Sequence, residues 1–286
     1  MFKLRMNSAE LWILRKLALG PCSIRTMERM MGHSFSWIFR SLEHLREMGF
    51  IQLNKSGRAS VATVSSSMLG SRILAYLRDS NFPDPELVFN GNGLHILAYI
   101  FPEGVTAQEL TRMTALAPRT IGSYLTNWRR KGIVIREGHL YRINPRHIYL
   151  IEFIKAFSEH LNMTIADGMG VPNAILWQGR GEFLDSVDGP YDRPHFLKAA
   201  DTALDDYGLD LVHKSEYYLY SPWRKKVTKA EALVQAILID RTEPRMIRFL
   251  RKVVLSDKVL RNDILESSKR YGIESVVKEL LADGRA

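Results

Sequence analysis

The side chains that could catalyse a reaction or bind a metal form no recognisable set in this sequence. The eight histidines are scattered, and no pair has the four-residue spacing, beside a further ligand, of a helical zinc site. Gly179-Arg180-Gly181 is followed by no Gly-Lys-Ser or Gly-Lys-Thr, so it does not match a phosphate loop. The single cysteine, Cys22 beside Pro21, excludes an internal disulfide and is predicted to be a small buried residue.

Three aspartates, Asp205, Asp206 and Asp210, could be considered as metal ligands of a nucleotidyltransferase. That fold needs a Gly-Ser turn and an Asp-x-Asp pair on a strand, and the sequence has neither here. Surface carboxylates near a helix end are therefore the preferred interpretation. We predict a protein that is not an enzyme and that uses no cofactor and no metal.

Cations and small polar residues instead recur in two segments with the spacing expected of helices that read DNA. Arg40 and Arg119 are predicted to contact bases, because a guanidinium can bond guanine at two points. Lys55, Arg58 and the run 129–131 suit phosphates. For that run the alternative is a solvated helix end favoured by the helix dipole. The predicted DNA-binding residues are Ser34, Ser36, Trp37, Arg40, Ser41, His44, Lys55, Arg58, Arg119, Thr120, Ser123, Tyr124, Asn127, Arg130 and Lys131.

Two aromatic side chains in this set, Trp37 and Tyr124, have two interpretations. Each ring could contact a thymine methyl group or a sugar on the DNA. Each could instead be partly buried against the hairpin that follows its helix.

An amphipathic helix, a turn and a strand position the first group of these residues. In Ser34–Ile51, the apolar residues Ile38, Leu42 and Leu45 recur at i, i+4 and i+7. Gly49 ends the helix, where a left-handed residue is favoured.

The segment Pro118–Ile135 repeats this layout at a constant offset. Ile38 matches Ile121 and Gly49 matches Gly132, so the offset is 83 residues (121 − 38 = 132 − 49 = 83). The match continues upstream without a gap, which indicates two copies of one supersecondary unit. Each copy is predicted to be a helix-turn-helix followed by a hairpin, in which the last helix enters the DNA major groove.

The positive charge follows the two copies. Of a net charge of +9 over 286 residues, residues 1–80 carry 12 Lys/Arg against 5 Asp/Glu (+7) and residues 81–160 carry 9 against 7 (+2). Residues 161–286 carry 19 against 19. A basic part joined to a neutral part indicates a polyanion-binding region and a region with another task. The alternative is that the surface cations only keep the protein soluble.

Two segments rich in proline or glycine divide the chain into three predicted domains. The linkers are Asn81–Pro85 and Gly168–Pro172, which gives domains over residues 1–80, 86–163 and 171–286. The single cysteine and the lack of a signal peptide or of a long apolar run predict a soluble cytoplasmic protein without a membrane segment.

The helix predicted over residues 145–163 has an apolar stripe with two interpretations. Leu150, Ile154, Phe157 and Leu161 are spaced by 4, 3 and 4 residues. The stripe could pack on the second repeat, or it could form the seam of a homodimer.

In the C-terminal domain we predict short strands over residues 175–177 and 183–187, a helix over Phe196–Tyr207 and an aromatic strand over Leu209–Tyr220. Aromatic surface is enriched at protein interfaces. Because Tyr217, Tyr218 and Tyr220 lie close together in a neutral domain, residues 171–286 are predicted to bind a protein partner.

The two repeated segments make residues 1–160 resemble the winged-helix superfamily, which includes MarR-like and ArsR-like regulators. The shared features are the serine-rich start of the helix, the core position of Leu45 and Trp128, and the glycine stop. The expected fold is mainly α with small β hairpins, in which two tandem winged-helix domains precede a C-terminal α+β domain.

The C-terminal domain is similar to that of archaeal winged-helix proteins. The similar segments are Trp177–Arg180, Glu182–Leu184 and Tyr217–Tyr220. Some of those proteins resemble antitoxins of the abortive-infection type, whose partners are nucleotidyltransferase toxins. That resemblance implies autoregulatory DNA binding together with neutralisation of a partner.

The main function predicted is sequence-specific binding of double-stranded DNA by a transcription regulator. One alternative is a protein-interaction module, such as an antitoxin or a subunit of a transcription complex. A plasmid-type replication initiator is another, since it also uses paired winged helices. Salt-dependent DNA binding separates the first and third functions from the second.

Overall fold

A computed structural model describes residues 5–56, 59–79, 83–100, 104–179, 181–208, 215–241, 247–248 and 258–282. Its contacts divide the chain into two compact units, Met1–Leu161 and Asn162–Ala286. The fold mixes α and β structure, with helices predominating and three small antiparallel sheets among the described residues. None of the described helices is long and apolar enough to span a membrane.

The first repeat consists of three helices and a three-stranded sheet. Asn7 caps the first helix in a reciprocal box with Glu10, and Ser23 caps the second. The predicted hairpin is confirmed, although Gly57 and Arg58 at its turn lie outside the described residues. The elements are α1 (Ser8–Leu19), β1 (Cys22–Ser23), α2 (Ile24–Met31), α3 (Phe35–Glu47), β2 (Ile51–Ser56) and β3 (Ala59–Val64), with strand order β1-β3-β2.

The second repeat has the same order of helices and a two-stranded sheet. Thr106 and Glu109 form the capping box of its middle helix. One short helix was not predicted, because its start falls in the predicted linker Asn81–Pro85. Asp84 caps this helix, and Pro85 is its first residue, where proline is tolerated. Helix α4 (Met68–Arg78) follows the first repeat, and the elements of the second are α5 (Pro85–Phe89), α6 (Gly93–Ile100), α7 (Ala107–Thr114), α8 (Pro118–Arg130), β4 (Val134–Glu137) and β5 (Leu140–Ile143).

The long helix that follows, α9 (Ile148–Asp167), begins three residues later than predicted and extends further. Its apolar stripe is inside the first unit: Leu150, Ile154 and Phe157 are fully buried. The helix packs as one interpretation predicted, but its rings contact Phe50 of the first repeat and Tyr76 as well as Phe89, so it does not pack on the second repeat alone. The predicted homodimer was based on this stripe, which is buried inside the first unit and is therefore not exposed to a second copy.

Five aromatic side chains from both repeats meet in one cluster. Phe50 follows α3, Tyr76 lies in α4, Phe89 ends α5, and Phe153 and Phe157 lie in α9. The ring centroids of Phe50 and Phe157 are 5.7 Å apart, and those of Phe89 and Phe153 are 5.2 Å apart. Aromatic pairs at such distances stabilise a core beyond the burial of their area. The cluster therefore joins the two repeats into one hydrophobic core.

The C-terminal unit is a four-stranded antiparallel sheet with helices. Its predicted helix over Phe196–Tyr207 is wrong at the start, where Phe196–Lys198 form a strand, whereas Ala200–Leu204 are helical and Asp205–Tyr207 form a 3-10 turn. Phe196 pairs with Tyr220 in the sheet, and left-handed backbone at His195 and Ala200 (φ 73° and 44°) interrupts a helix. The elements are β6 (Asn173–Gly179), β7 (Glu182–Val187), β8 (Phe196–Lys198), α10 (Ala200–Leu204), a 3-10 turn (Asp205–Tyr207), β9 (Glu216–Tyr220), α11 (Lys229–Ile239), α12 (Lys258–Arg270) and α13 (Glu274–Ala282), with strand order β6-β7-β9-β8.

The tyrosines of β9 belong to the core and not to an interface. β9 is an inner strand, Tyr218 is 5% exposed, and the half-buried Tyr217 and Tyr220 pack against the two hydrophobic clusters. Burial also raises the pKa of the Tyr217 and Tyr220 hydroxyls. The predicted aromatic docking surface is therefore wrong. The segment 209–214, which was predicted as part of the aromatic strand, lies outside the described residues.

A network of charged side chains ties β7 to the helices of this unit. The carboxylate of Glu182, fully buried, pairs with Arg224 (3.2 Å) and with Arg270. Glu231 in α11 also pairs with Arg224 (2.6 Å), and it accepts a hydrogen bond from the Tyr271 hydroxyl (2.7 Å). Removing one partner of such a buried set leaves an uncompensated charge, so the network fixes these elements together.

Phe153→Ala should destabilise the first unit by about 3–5 kcal/mol, because it leaves a cavity where both repeats meet. Ile148→Ala in the same helix is the matched control, since Ile148 is 50% exposed. Urea unfolding of both variants measures the difference. Equal urea midpoints for the two variants would show that the aromatic cluster does not stabilise the junction between the repeats.

The buried carboxyl of Asp185 in β7 should make the stability of the C-terminal unit depend on pH. Burial raises the pKa of its carboxyl to about 6, against backbone hydrogen bonds at Ala174 and Ser186 that lower it. The folded state then holds the proton more tightly than the unfolded state, so stability falls as pH rises from about 4 to 6.

Asp185→Asn should remove this slope and stabilise the protein near neutral pH by on the order of 2 kcal/mol. Urea titrations across that pH range provide the measurement. The control is Asp206→Asn, since Asp206 is exposed beside Lys198. A slope that persists in Asp185→Asn contradicts the assignment.

Candidate nucleic-acid interface

Helix α8 is held by a buried face that its sequence predicts. Ile121 and Trp128 are fully buried and Leu125 is 2% exposed. The indole nitrogen of Trp128 donates to the Leu87 carbonyl (2.9 Å), which anchors α8 on α5. This anchoring turns the opposite face of α8 to solvent.

The exposed face of α8 combines arginines at its ends with small side chains between them. Arg119, Ser123, Thr126 and Arg130 are all exposed, and at 100° per residue they form one stripe along the helix. Gly122 lies beside this stripe, with open space where a side chain would be. The side chains in the middle of the exposed face are therefore short, and a partner can approach the helix backbone closely there.

No acidic residue occurs in α8, whose sequence is PRTIGSYLTNWRR. Arg119, Arg129, Arg130 and the following Lys131 are exposed, and none of them forms an ion pair with another described residue. Of the other predicted residues in this segment, Asn127 is exposed and Thr120 is half-buried. The face is therefore uniformly positive and polar.

The N-terminus of α8 is also open to an anion. Ala117 occupies the cap position and offers no side-chain hydrogen bond to the first N–H groups of the helix. Arg119 stands in the first turn, where the helix dipole disfavours a cation. An anion bound there would satisfy both the free N–H groups and the guanidinium.

The β4–β5 hairpin after α8 has its own cations. Arg136 donates to the Gly138 carbonyl (2.9 Å) and lies over the Tyr141 ring, while Arg142 pairs with Glu137 (3.3 Å). In the first repeat, Lys55 is exposed at the end of β2, and Arg58 lies outside the described residues.

The predicted outward face of α3 is only partly exposed. Ser34, Ser36 and Arg40 are exposed, whereas Ser41 is 7% exposed, so its predicted outward direction is wrong. It lies too close to the buried stripe of the helix.

His44 is bound within the protein. Its Nδ1 lies 2.7 Å from the Glu10 carboxylate, and the Glu10 side chain is 5% exposed. The same carboxylate accepts from the Asn7 backbone (2.9 Å) to cap α1. Glu10 therefore joins α1 to α3 through His44, whose predicted contact with DNA stays a prediction.

Charge also distinguishes α3 from α8. The α3 sequence FSWIFRSLEHLRE carries two arginines and two glutamates. Glu43 pairs with Arg46, and Glu47 is exposed near Arg40 on the same outward face. Carboxylates on this face repel phosphates, so α3 is the weaker of the two candidates for contact with a nucleic acid.

Trp37 and Arg40 line a cleft rather than a free helix surface. The Trp37 ring stacks on His33 with centroids 4.1 Å apart. The cleft, of about 820 Å³, is bounded by this flank of α3, by Arg5 and by the loop at Asn90–Gly91. Neither sequence interpretation of Trp37, as a DNA contact or as packing on the hairpin, included this cleft.

Tyr124 is a clamp between α8 and the loop before α6. Its hydroxyl donates to the Asn90 carbonyl (2.9 Å) and accepts from the Asn92 backbone N–H (3.0 Å). The ring is half-buried, and the partner of its hydroxyl is this loop, which neither interpretation named; the predicted contact of Tyr124 with DNA stays a prediction. The sequence did not predict a role for Gly122 and Thr126, which lie on the exposed stripe. It also gave no signal for Arg5, Asn90 and Gly91 at the cleft, because none of these residues falls at a characteristic motif position.

The described residues contain no cluster of three or more His, Cys, Asp or Glu side chains that could hold a metal. Asp205 and Asp206 are exposed beside the end of α10, as the surface interpretation predicted. Cys22 is buried, as predicted. Comparison with protein-family models and with curated proteins finds no match to this chain.

Tyr124→Phe removes both hydrogen bonds of the clamp and should destabilise the first unit by roughly 1–3 kcal/mol. If Tyr124 only holds the loop, duplex affinity should not change, and the salt slope should stay the same in either case because a neutral hydroxyl releases no counterion. Thermal unfolding and DNA titrations at several salt concentrations measure the two effects. Weaker duplex binding at every salt concentration with unchanged stability would mean that Tyr124 contacts the DNA.

Proposed function

We propose that the two repeats are tandem winged helices and that the protein regulates transcription by binding double-stranded DNA. The main support is the outward face of α8, which is exposed, lacks acidic residues and ends in arginines that form no ion pair with any described residue. In this proposal α8 enters the major groove and the β4–β5 hairpin lies along the backbone.

The shape of α8 suits a groove. The side chains in the middle of the exposed stripe are short, which allows the helix to approach the floor of the groove; the residues are Gly122, Ser123 and Thr126. Glycine inside a helix costs about 1 kcal/mol relative to alanine. No neighbouring atom requires a glycine at position 122, so close approach of a partner is its best explanation.

Affinity and choice of sequence come from different side chains in this proposal. Arg119, at the open N-terminus of α8, binds a phosphate or a guanine edge. Arg129, Arg130 and Lys131 at the other end bind phosphates, which position the protein without reading sequence. Ser123 and Asn127 lie between them and face the bases.

Replacing cations on α8 tests the proposal. Arg119→Gln and Arg130→Gln should each weaken duplex binding about tenfold and lower the salt slope by about 1. Arg46→Gln on α3 is the control, because Arg46 is already paired with Glu43 and should have little effect. Fluorescence anisotropy with a mixed-sequence duplex, and then with a duplex selected by the protein, measures both quantities.

Gly122→Leu separates folding from binding. The change should raise stability by about 0.5–1 kcal/mol, because leucine favours the helix and finds open space there. Its side chain should nevertheless block close approach and weaken duplex binding. If the variant binds like the unaltered protein, α8 does not enter the groove.

A second candidate function, docking of a protein partner, is supported by α3. Phe35 and Phe39 are 47% and 39% exposed, and their rings lie parallel with centroids 6.3 Å apart. If no duplex binds at low salt, the antitoxin-like or complex-subunit function becomes the better proposal. A partner for residues 171–286 and a replication-initiator role stay predictions.

A further inference from the structure

We propose that the cleft beside α3 binds a small anionic ligand carrying a planar ring, and that this ligand controls α8. The binding site itself does not depend on the proposed function. Its effect on α8 does rest on the proposed DNA binding. The ligand chemistry could come from a nucleotide or from an aromatic carboxylate.

The walls of the cleft are held in place before any ligand arrives. On one side, the Glu10–His44 pair fixes α1 against α3. On the other, the Gly91 N–H donates to the Met6 carbonyl (3.0 Å). With a volume of about 820 Å³, the cleft is in the range typical of small-molecule sites.

Two cations give the cleft its preference for an anion. Arg5 is held by Asn92 through its Nε (2.7 Å), and Arg40 is held weakly by the Ser36 carbonyl (3.4 Å). Within the described part of the chain, neither guanidinium pairs with a carboxylate. A carboxylate or phosphate bound between them would supply the missing charge.

An aromatic wall gives the preference for a ring. One face of the Trp37 ring stacks on His33, and Trp37 lines the cleft, so its orientation is already fixed. Planar rings stack favourably on indole, and an oriented side chain loses little entropy when it binds. The Glu10 carboxylate at the cleft disfavours ligands that carry an anion at both ends.

The clamp at Tyr124 connects the cleft with α8. A ligand on Asn90–Gly91 touches the loop to which the Tyr124 hydroxyl is bonded through Asn90 and Asn92. Gly91 has left-handed backbone (φ 65°) directly beside that hydroxyl, so the loop has little room to move independently. Occupation of the cleft would therefore change the position or mobility of α8.

Calorimetry on the full chain without DNA tests ligand binding alone. AMP and benzoate are the probes that carry both an anion and a ring, and they distinguish the two sources. Adenosine lacks the anionic group, and ribose 5-phosphate lacks the planar aromatic ring. We expect saturable binding of AMP or benzoate, and at least about tenfold weaker binding of the two partial probes.

Substitutions then locate the site. Arg5→Gln and Arg40→Gln should each weaken binding about tenfold. Trp37→Leu should also weaken it, and Trp37→Phe should restore part of the loss. Arg46→Gln, on the other flank of α3, should bind like the unaltered protein. Circular dichroism confirms that each variant is folded.

The proposal is overturned if neither AMP nor benzoate binds at millimolar concentration, or if Arg40→Gln and Arg46→Gln bind equally. Control of α8 is tested separately by duplex titrations with and without saturating ligand. The ligand should change duplex affinity in the unaltered protein but not in Tyr124→Phe. Ligand binding without any duplex binding would overturn the proposed function and leave the cleft intact.

Discussion

The architecture of the first unit depends on the aromatic cluster of Phe50, Tyr76, Phe89, Phe153 and Phe157. The first repeat contributes Phe50 and helix α5 of the second contributes Phe89, while α4 and α9 supply the other rings. Two repeats of three helices and a hairpin joined by a linker alone would move independently. Because this core is shared, α3 and α8 have a fixed separation, and residues from both repeats can form one cleft.

Polar contacts at the same junction give α3 and α8 different surroundings. The loop at Asn90–Gly91 stands opposite one flank of α3 and is bonded to Tyr124 of α8. One flank of α3 is thereby concave, whereas the outward stripe of α8 is exposed along its length. The difference arises from the packing of the repeats, since both helices bury the same face against their own repeat.

The sequence predicted what each repeat does by itself and could not predict what the repeats do to each other. The period of Ile38, Leu42 and Leu45 correctly identifies the buried face of α3, and glycine correctly ends the helix. The same period assigns Tyr124 and His44 to the outside, because it describes one helix against one core. Their partners, Asn90 and Glu10, lie 34 residues away in each case, and no local pattern reports such contacts. The helix predicted at Phe196 failed similarly, since pairing with Tyr220 outweighs local propensity.

Duplication allows two copies of one unit to satisfy opposite requirements. Contact with a duplex favours a convex, uniformly positive surface with low side chains, and α8 has arginines around Gly122 with no carboxylate in its sequence. Binding of a small ligand favours a concave surface with few fixed polar groups and a ring, and α3 has Trp37 beside Arg40 with Glu10 buried below. A single helix cannot easily combine these properties, because the glutamates tolerated around a cleft repel a phosphate backbone. The charge difference between α3 and α8 is therefore the physical reason to assign them different ligands.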